Sequence, residues 1–227
     1  LLCAVSEATD GNLSLVHGER EDVLRRREVF LVKHGVSPDD CVYIDTEHSD
    51  KVTQVTAADK GSSISTEALI TSEKGIVLFL LTGDCSPVSF YDPVEGVIAL
   101  AHLGWKPTDK KLVVKVLEQM QKSYGSKPEN ILVFIGPGIK KESYKFVDPI
   151  QKEMPGWVDF LTDLPNGETA IDLPGYITAQ AISCGVLPES ITEDTTDTAT
   201  SDKYFSYYRS VRTGEQQARF ATILGMT

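Results

Sequence analysis

Three residues of this chain, His48, Cys85 and His102, have side chains of the types that bind zinc in proteins. Neutral imidazole and thiolate are preferred zinc ligands, and three protein ligands leave a fourth position for water or substrate, as in catalytic zinc sites. The alternative for each residue is structural, because a free cysteine is commonly a small core residue and a single histidine more often packs through hydrogen bonds. The residue types alone therefore allow a site of two histidines and one cysteine.

The spacing between Cys85 and His102 favours a shared site. Two runs rich in β-forming residues, 88–91 and 97–100, flank a short segment that contains Pro and Gly, and this pattern predicts a β-hairpin. If the last residue of the first run opposes the first residue of the second, Cys85 lies within one residue of the position opposite His102. Directly opposed side chains are about 4.5–5.5 Å apart at Cβ, which is close enough to share one ion. The hairpin does not position His48, which lies far upstream.

Other segments predict a mixture of strands and helices. The apolar runs at 76–81 and 131–135 have the length of buried strands. The segment 23–34 carries spaced apolar residues and stops at a glycine, which is typical of a helix with a C-terminal glycine cap. The chain thus alternates between both kinds of element, as in mixed α/β proteins.

A further helix is predicted close to His102. Thr108 and Asp109 precede spaced apolar residues, so the pattern predicts an N-capped amphipathic helix that ends near Gly125. The free N–H groups and the positive dipole end of such a helix can bind a phosphate or another anion. The alternative is that the helix only packs on the sheet and that its N-terminus faces water.

Length and composition favour a single enzyme domain over residues 1–227, since no linker, repeat or low-complexity run divides the chain. The 33 acidic residues outnumber the 22 basic ones, and the net charge of −11 opposes binding to nucleic acid. No run approaches the roughly 18 apolar residues of a membrane span, so the sequence predicts no membrane partner. Four cysteines without a Cys-x-x-Cys pair favour a reducing, cytoplasmic location.

The motifs around these residues resemble those of a known family. Gly83-Asp84-Cys85-Ser86-Pro87 and His102-Leu103-Gly104-Trp105 resemble the Ala-Asp-Cys-x-Pro and His-Ala-Gly-Trp-Arg-Gly signatures of the YfiH/laccase-domain family. Further matches occur in the same order along almost the whole chain: Asn12-Leu13-Ser14, His48-x-x-x-Val52, Ala68-Leu69-Ile70-Thr71, Ile135-Gly136-Pro137-Gly138-Ile139, Phe205-Ser206-Tyr207-Tyr208-Arg209 and Thr213-Gly214. The resemblance implies an α+β (α/β) fold, with mixed β-sheets and flanking helices in a layered αββα sandwich.

The resemblance also implies a function. In the family, the residues that match His48, Cys85 and His102 are the ligands of an active-site Zn²⁺. Its members cleave adenosine, inosine, guanosine and methylthioadenosine with phosphate, and deaminate adenosine to inosine. The expected partners are therefore a nucleoside and phosphate, with the protein a monomer or a small homo-oligomer. Zinc can lower the pKa of water toward neutrality, which suits attack on C6 of adenine.

Several polar residues are predicted to assist this site. Asp84, next to Cys85, is expected to orient a ligand or to act as an acid or base, although an aspartate at a strand end is also an ordinary cap. Arg209 matches the family's Ser-x-Arg motif and is predicted to hold an anionic or ribose oxygen, unless it forms only a surface ion pair. Gly136 is in a Gly-Pro-Gly segment that brings N–H groups to a ligand or simply forms a turn. Asn12 is assigned by the resemblance alone.

The chain departs from the family at its cationic positions. Lys106 stands where the family has the Arg of Trp-Arg-Gly, and residues 5–11 lack the Arg of the family's Thr-Arg-x-Gly-Gly segment. Lysine keeps the charge but lacks the planar fork that holds phosphate bidentately. Lys106 remains the predicted phosphate contact. The departures predict weaker phosphate-dependent cleavage than in relatives that keep both arginines, and predict that Lys106→Arg helps phosphorolysis more than deamination.

Three alternatives remain from other classes of protein. The older family label implies a copper-dependent polyphenol oxidase, or laccase. Copper clusters of that kind draw heavily on imidazole, and the chain has only four histidines: His17, His34, His48 and His102. A cysteine hydrolase would use Cys85 as a nucleophile activated by His102. The third alternative is a metal-binding protein without turnover.

Overall fold

Three β-sheets form the framework of the protein, and the computed structural model describes residues 1–226. The strands are β1 (Leu2–Val5), β2 (Cys41–Asp45), β3 (Val52–Gln54), β4 (Ser63–Ser65), β5 (Ala68–Thr71), β6 (Val77–Thr82), β7 (Ser86–Asp92), β8 (Val97–Leu103), β9 (Leu132–Ile135), β10 (Lys145–Val147), β11 (Leu161–Asp163), β12 (Glu168–Ile171), β13 (Ile191–Glu193) and β14 (Phe220–Gly225). The α-helices are α1 (Arg20–Lys33), α2 (Trp105–Asp109), α3 (Leu112–Tyr124), α4 (Leu173–Ser183) and α5 (Tyr207–Thr213). None of these helices, over the residues described, is both long and apolar enough to cross a membrane.

Two large sheets pack face to face and are covered by helices on both outer sides. The strand orders are β1-β14-β6-β2-β4 and β13-β9-β7-β8-β5-β3, with a small third sheet, β10-β12-β11. Side chains such as Leu80 and Leu100 fill the space between the large sheets. Phe30 and Leu31 of α1 pack on the first sheet, whereas α3 and α4 cover the second. Parallel and antiparallel pairs occur in both large sheets, which confirms the predicted mixed αββα sandwich.

The predicted helix and buried strands are present. The segment 23–34 corresponds to α1, and Gly35 follows it with a φ of 72°, a left-handed conformation that glycine adopts without a steric penalty. The apolar runs at 76–81 and 131–135 correspond to β6 and β9. Apolar periodicity and glycine caps were sufficient signals for these elements because each depends on local sequence.

The predicted hairpin exists as β7 and β8, but its register differs by one residue. Tyr91 pairs with Ile98 and not with Val97. Asp92 explains the shift, because its Oδ1 accepts hydrogen bonds from the backbone N–H groups two and three residues ahead, at 2.9 and 3.2 Å. This Asx turn makes Asp92 the last paired residue of β7. Each residue of β7 therefore pairs with the residue of β8 one position later than predicted.

The segment predicted as one helix from Thr108 to Gly125 contains the end of α2 and the whole of α3. Thr108 lies inside α2, and its Oγ1 donates a hydrogen bond to the carbonyl oxygen of Gly104 at 2.8 Å instead of capping a helix. Lys111, with a φ of 63°, separates α2 from α3. The helix ends at Gly125 as predicted. The prediction of an anion-binding helix N-terminus at Thr108 is wrong, because no helix starts there.

Candidate active site

A buried pair of a histidine and a carboxylate forms the base of the site. His102, near the end of β8, is only 4% exposed, and Glu67, directly before β5, is fully buried. The backbone N–H of His102 donates to the carbonyl oxygen of Glu67 at 2.8 Å, which extends the pairing of β5 with β8 by one step. The side chains also meet, with Nδ1 of His102 2.7 Å from Oε2 of Glu67. This contact leaves Nε2 as the ring nitrogen that is available to a metal or a ligand.

The electrostatic surroundings of His102 favour a positive charge. Burial disfavours the charged imidazole, but the nearby thiol of Cys85 and the carboxylate of Glu67 outweigh it and raise the pKa of His102 to about 10. The sulfur of Cys85 and the carboxylate of Glu67 therefore favour positive charge at this position.

Cys85 lies beside His102 because Gly104 has no side chain. The pairing of β7 with β8 ends at Ser86 and Leu103, and one further step brings Cys85 opposite Gly104. A Cβ atom on Gly104 would lie 2.8 Å from Sγ of Cys85, so the thiol occupies the space that a side chain would fill. Residues two apart on a strand share a face, which makes His102 the diagonal neighbour of Cys85.

His48 approaches the pair from an exposed loop. Its ring centroid lies 5.5 Å from that of His102, with the two ring planes nearly perpendicular at 88°. The φ of His48 is 60°, a left-handed conformation that is uncommon for residues other than glycine. Farther along the loop, Asp50 forms an ion pair with Lys115 of α3. The fold thus places His102 near both His48 and Cys85.

Two sets of hydrogen bonds hold the His48 loop. Oε1 of Glu67 accepts hydrogen bonds from the backbone N–H groups of Glu47 at 2.7 Å and Ser49 at 3.2 Å. On the other side, Nζ of Lys110 donates to the carbonyl oxygen of His48 at 3.0 Å. Since the second oxygen of Glu67 contacts His102, one buried carboxylate positions both histidines. Glu67 was not identified from the sequence.

The three predicted ligands suit zinc in type but do not form a compact cluster. Across residues 1–226, no three His, Cys, Asp or Glu side chains are close enough to form a metal-binding group. The assignment of His48, Cys85 and His102 as ligands therefore stays a prediction. The chemistry of the donors fits, because two imidazoles and a thiol are zinc ligands and because the carboxylate on Nδ1 of His102 is the usual partner of a metal-bound histidine.

Asp84 connects the cysteine loop to a distant segment of the chain. Its φ of 114° is unusual, and its side chain is buried. Oδ1 accepts a hydrogen bond from Oγ1 of Thr198 at 2.7 Å, and Oδ2 accepts one from the backbone N–H of Tyr208 at 2.6 Å. Burial raises the pKa of Asp84 despite these bonds. Because both oxygens are engaged, the geometry supports an orienting role more than proton transfer.

The guanidinium of Arg209 forms hydrogen bonds within the protein. Its guanidinium donates to the carbonyl oxygens of Thr198 and Ser201, each at 2.8 Å, and of Tyr204 at 3.0 Å. Its Nε also contacts the carboxylate of Glu215 at 3.1 Å. These bonds leave no pair of free donors for a bidentate contact. Arg209 holds the segment that Asp84 also contacts, and the structure does not present it as an open anion site.

Asn12 and Gly136 also have structural partners. Oδ1 of Asn12 accepts hydrogen bonds from the backbone N–H groups of Ser14 and Arg219, each at 3.0 Å. The backbone N–H of Gly136 donates to the carbonyl oxygen of Pro87 at 2.8 Å, so it is not free to bind a ligand. A Cβ on Gly136 would lie 2.8 Å from Cγ of Pro87, which explains the glycine by close packing.

Lys106 lies at the exposed edge of the site. Its Nζ is 5.5 Å from the centroid of the Trp105 ring. Burial lowers the pKa of His48, and the charges of His102, Lys106 and Lys110 lower it further, which indicates that both lysines lie near the loop. This position is compatible with the predicted contact to an anion.

Two more polar residues lie beside the thiol without having been identified from the sequence. Burial lowers the pKa of the Arg219 guanidinium, and the neighbouring charges of Asp84 and Cys85 oppose that effect. Burial raises the pKa of Tyr144, and the charges of Cys85 and Asp84 raise it further. No local pattern marks either residue, because each reaches the site from a remote part of the chain. For Glu67, the one available signal was an acidic residue directly before a buried strand.

Comparisons with known proteins identify the family of the chain. The profile of the family described as "Multi-copper polyphenol oxidoreductase laccase" matches residues 4–225. The chain is similar to purine nucleoside phosphorylase YlmD of Bacillus subtilis strain 168, with 32% identity over 60% of this chain and 51% of that protein. It is also similar to purine nucleoside phosphorylases of Corynebacterium glutamicum (31% identity, 80% of this chain, 74% of that protein) and Streptomyces griseus (30%, 92% and 87%). The match to the Bacillus protein spans about half of that protein's length.

Solved structures share the fold. Bacillus licheniformis hypothetical protein YfiH aligns with a TM-score of 0.88 and 23% identity, covering 95% of this chain and 85% of that chain. YlmD from Geobacillus stearothermophilus aligns with a TM-score of 0.88 and 24% identity, covering 95% and 84%. This layered fold, together with the profile match over residues 4–225, defines a laccase-domain protein. This chain belongs to the multi-copper polyphenol oxidoreductase laccase family, the YfiH-type family that its motifs resemble.

Proposed function

We propose that the protein is a zinc-dependent purine nucleoside phosphorylase. The observation that carries the proposal is the arrangement of Cys85 and His102 beside the buried carboxylate of Glu67. A second imidazole, that of His48, has its ring centroid 5.5 Å from that of His102. Relatives at about 30% identity are named purine nucleoside phosphorylases, which supports the choice among zinc enzymes. The substrates proposed are adenosine, inosine, guanosine and methylthioadenosine, in a cytoplasmic enzyme.

His48, Cys85 and His102 would hold the zinc ion. A bound zinc ion supplies Lewis-acid polarisation of a nearby oxygen. Glu67 fixes the ring of His102 so that Nε2 faces the site, and it holds the loop of His48 through two backbone N–H groups. Asp84 fixes the cysteine loop against the segment of Thr198 and Tyr208. Glu67 and Asp84 would thus act by positioning the proposed zinc ligands.

The proposed reaction conserves atoms and charge without a redox partner. An oxygen of hydrogen phosphate forms a bond to C1′ of the ribose, and the C1′–N bond to the purine breaks. The electron pair of that bond goes to the purine nitrogen, which takes up the proton that hydrogen phosphate loses. The products are ribose 1-phosphate and the free base. Cations near the site are needed to hold phosphate close to the sugar.

Deamination of adenosine is the second reaction proposed for the same pocket. Water adds to C6 of adenine and ammonia leaves, which requires a group that moves protons between them. Both oxygens of Asp84 accept hydrogen bonds, and Glu67 is occupied by His102 and by the loop. Neither nearby carboxylate is free for this task. We therefore expect deamination to be slower than phosphorolysis.

The decisive experiment combines metal analysis with a product screen. The purified protein is assayed with the four nucleosides, with and without phosphate, and its metal content is measured. We expect one zinc ion per chain and a phosphate-dependent release of base that is lost in Cys85→Ala. Cys3→Ser, at an exposed cysteine, is the matched control and should keep the activity.

Other outcomes would identify other functions. Several copper ions and oxidation of phenols would indicate a laccase. Turnover that survives complete removal of metal would indicate a cysteine hydrolase with Cys85 and His102. Zinc binding with no turnover of any nucleoside would indicate a metal-binding protein. Any of these results would refute the proposed phosphorylase.

A further inference from the structure

Arg219 differs from Arg209 in how many of its guanidinium N–H groups form hydrogen bonds within the protein. Its hydrogen bond within the protein runs from Nη1 to the carbonyl oxygen of Ala218 at 2.8 Å. Within residues 1–226, no aspartate or glutamate forms an ion pair with it. Arg209, by contrast, donates to three carbonyl oxygens and a carboxylate. Arg219 is thus a half-buried cation with donors left for a ligand.

The backbone of Arg219 is fixed on both sides. Its N–H donates to Oδ1 of Asn12 at 3.0 Å, and its carbonyl oxygen accepts a hydrogen bond from the N–H of Leu13 at 3.1 Å. Directly after it, β14 is paired with β1 and β6. Both backbone polar groups of Arg219 are therefore hydrogen bonded, as in a strand residue. Asn12 contributes one of these bonds.

The side chain of Arg219 packs over Gly83, the residue before Asp84 and Cys85. A Cβ atom on Gly83 would lie 2.9 Å from Cδ and 3.3 Å from Nε of Arg219. The guanidinium carbon lies 5.8 Å from the centroid of the Tyr207 ring. One step beyond the pair of Phe220 with Thr82, Arg219 thus lies opposite Gly83, two residues before Cys85. The charges of Asp84 and Cys85 oppose the lowering of its pKa by burial, and both oxygens of Asp84 accept hydrogen bonds from other groups.

We propose that Arg219 binds the phosphate co-substrate beside Cys85, an inference that rests on the proposed phosphorylase function. A guanidinium presents a planar fork of N–H donors that matches the oxygens of phosphate, and a lysine cannot reproduce it. Arg219 would supply the fork that the chain lacks at Lys106 and in residues 5–11. Phosphate would then bind on the side of the site where Arg219 lies over Gly83.

The test measures phosphate binding and turnover separately. Inorganic phosphate is titrated into the zinc-loaded wild type, Arg219→Gln, Arg219→Lys and the control Arg25→Gln by calorimetry, without nucleoside. Arg25 is an exposed residue of α1 that pairs with Asp22. We expect Arg219→Gln to weaken phosphate binding at least about tenfold, the factor for loss of one charge-assisted hydrogen bond. Arg219→Lys should be intermediate, and Arg25→Gln should match the wild type.

The kinetic measurement uses inosine with varied phosphate. For Arg219→Gln we expect the KM for phosphate to rise at least about tenfold, with the KM for inosine within about threefold of wild type, because a purely structural defect would change both. Thermal melting without phosphate establishes that each variant is folded, and Arg219→Lys provides the test if Arg219→Gln is not. Unchanged phosphate affinity in the folded variants would overturn the proposal, as would a wild type that does not bind phosphate.

The proposal and the function on which it rests can fail separately. If wild type binds phosphate, Arg219→Gln loses that binding and no nucleoside is cleaved, the phosphate site stands and the phosphorylase function is wrong. If nucleosides are cleaved with phosphate and Arg219→Gln has the same KM for phosphate, the phosphorylase stands and another cation holds the anion.

Discussion

The candidate site has one half built on paired strands and one half built on a loop. Glu67 and His102 are buried, and their backbones are hydrogen bonded to each other at 2.8 Å. His48 is exposed, adopts a φ of 60° and is held through the backbone of its neighbours. The strand half is positioned by the sheet itself. The loop half acquires its position through hydrogen bonds to Glu67 and Lys110.

We expect the largest difference in the free energy of unfolding between His102→Ala and His48→Ala. Each removes a proposed zinc ligand, but His102→Ala also leaves the buried carboxylate of Glu67 without its partner. We expect the unfolding free energy of the metal-free protein to fall by about 2–3 kcal/mol in His102→Ala, the cost of an unpaired buried charge. His48→Ala should stay within about 0.5 kcal/mol of wild type. Urea denaturation in the presence of a chelator measures both, and equal losses would contradict the division into two halves.

Glu67→Gln should weaken the strand half and leave the contacts to the loop half. A glutamine oxygen can still accept from the loop N–H groups, but its amide would then donate to Nδ1 of His102. That donation places the ring proton on Nε2, the nitrogen that the metal needs. We expect zinc affinity to fall about 10- to 100-fold, the usual cost of losing the carboxylate behind a metal-bound histidine. Competition with a chromophoric chelator measures it, with the exposed Glu129→Gln as control. Wild-type affinity in Glu67→Gln would show that His102 is not a ligand.

Gly104→Ala tests the strand half at the thiol. The new Cβ would lie 2.8 Å from Sγ of Cys85, so the thiol or the strand must move. We expect a loss of stability of about 1–3 kcal/mol, as for overpacking in a core. Zinc binding should weaken while the far-ultraviolet circular dichroism spectrum is retained. If Gly96→Ala, at a position with no atom within 4 Å of the added Cβ, weakened zinc binding equally, contact with the thiol would not be the cause.

Lys110→Ala should give the smallest effect and bears only on the loop half. It removes the donor to the carbonyl oxygen of His48, an exposed contact worth about 0.2–1 kcal/mol. We expect zinc affinity to change less than about fivefold, which is the affinity ratio that 1 kcal/mol represents. Lys122→Ala, an exposed lysine of α3, is the control. A larger loss in Lys110→Ala would mean that the loop is held chiefly by α2 and α3 and not by Glu67.

The fold followed from the sequence where local patterns were sufficient. Apolar runs and a terminal glycine identified β6, β9 and α1, and the family motifs implied the layered sandwich. The register of β7 against β8 was wrong by one residue because a side-chain turn at Asp92 decides which residues pair last. The helix after His102 was predicted as one element because the left-handed conformation of Lys111 has no signature in residue type.

The site was predictable only in part. Residue type and motif singled out His48, Cys85 and His102, and the structure places His102 near the other two, while their role as ligands stays a prediction. Glu67 and Arg219 were missed because their roles depend on contacts across strands. Glu67 meets His102 through the pairing of β5 with β8, and Arg219 lies opposite Gly83, one step beyond the last pair of β14 with β6. Periodicity describes which face of an element is buried and carries no information on such partners.

The position of β14 has a consequence for how the protein is made. This strand lies between β1 and β6 in the first sheet, and residue 225 pairs with residue 2. During synthesis, β1 therefore has no paired strand until β14, more than 200 residues later, leaves the ribosome. Until then the edges of β1 and β6 are open to pairing with other chains, which is a route to aggregation. Arg219 arrives with the same strand, so a nascent chain would carry the cysteine and both histidines well before the pocket beside them was complete.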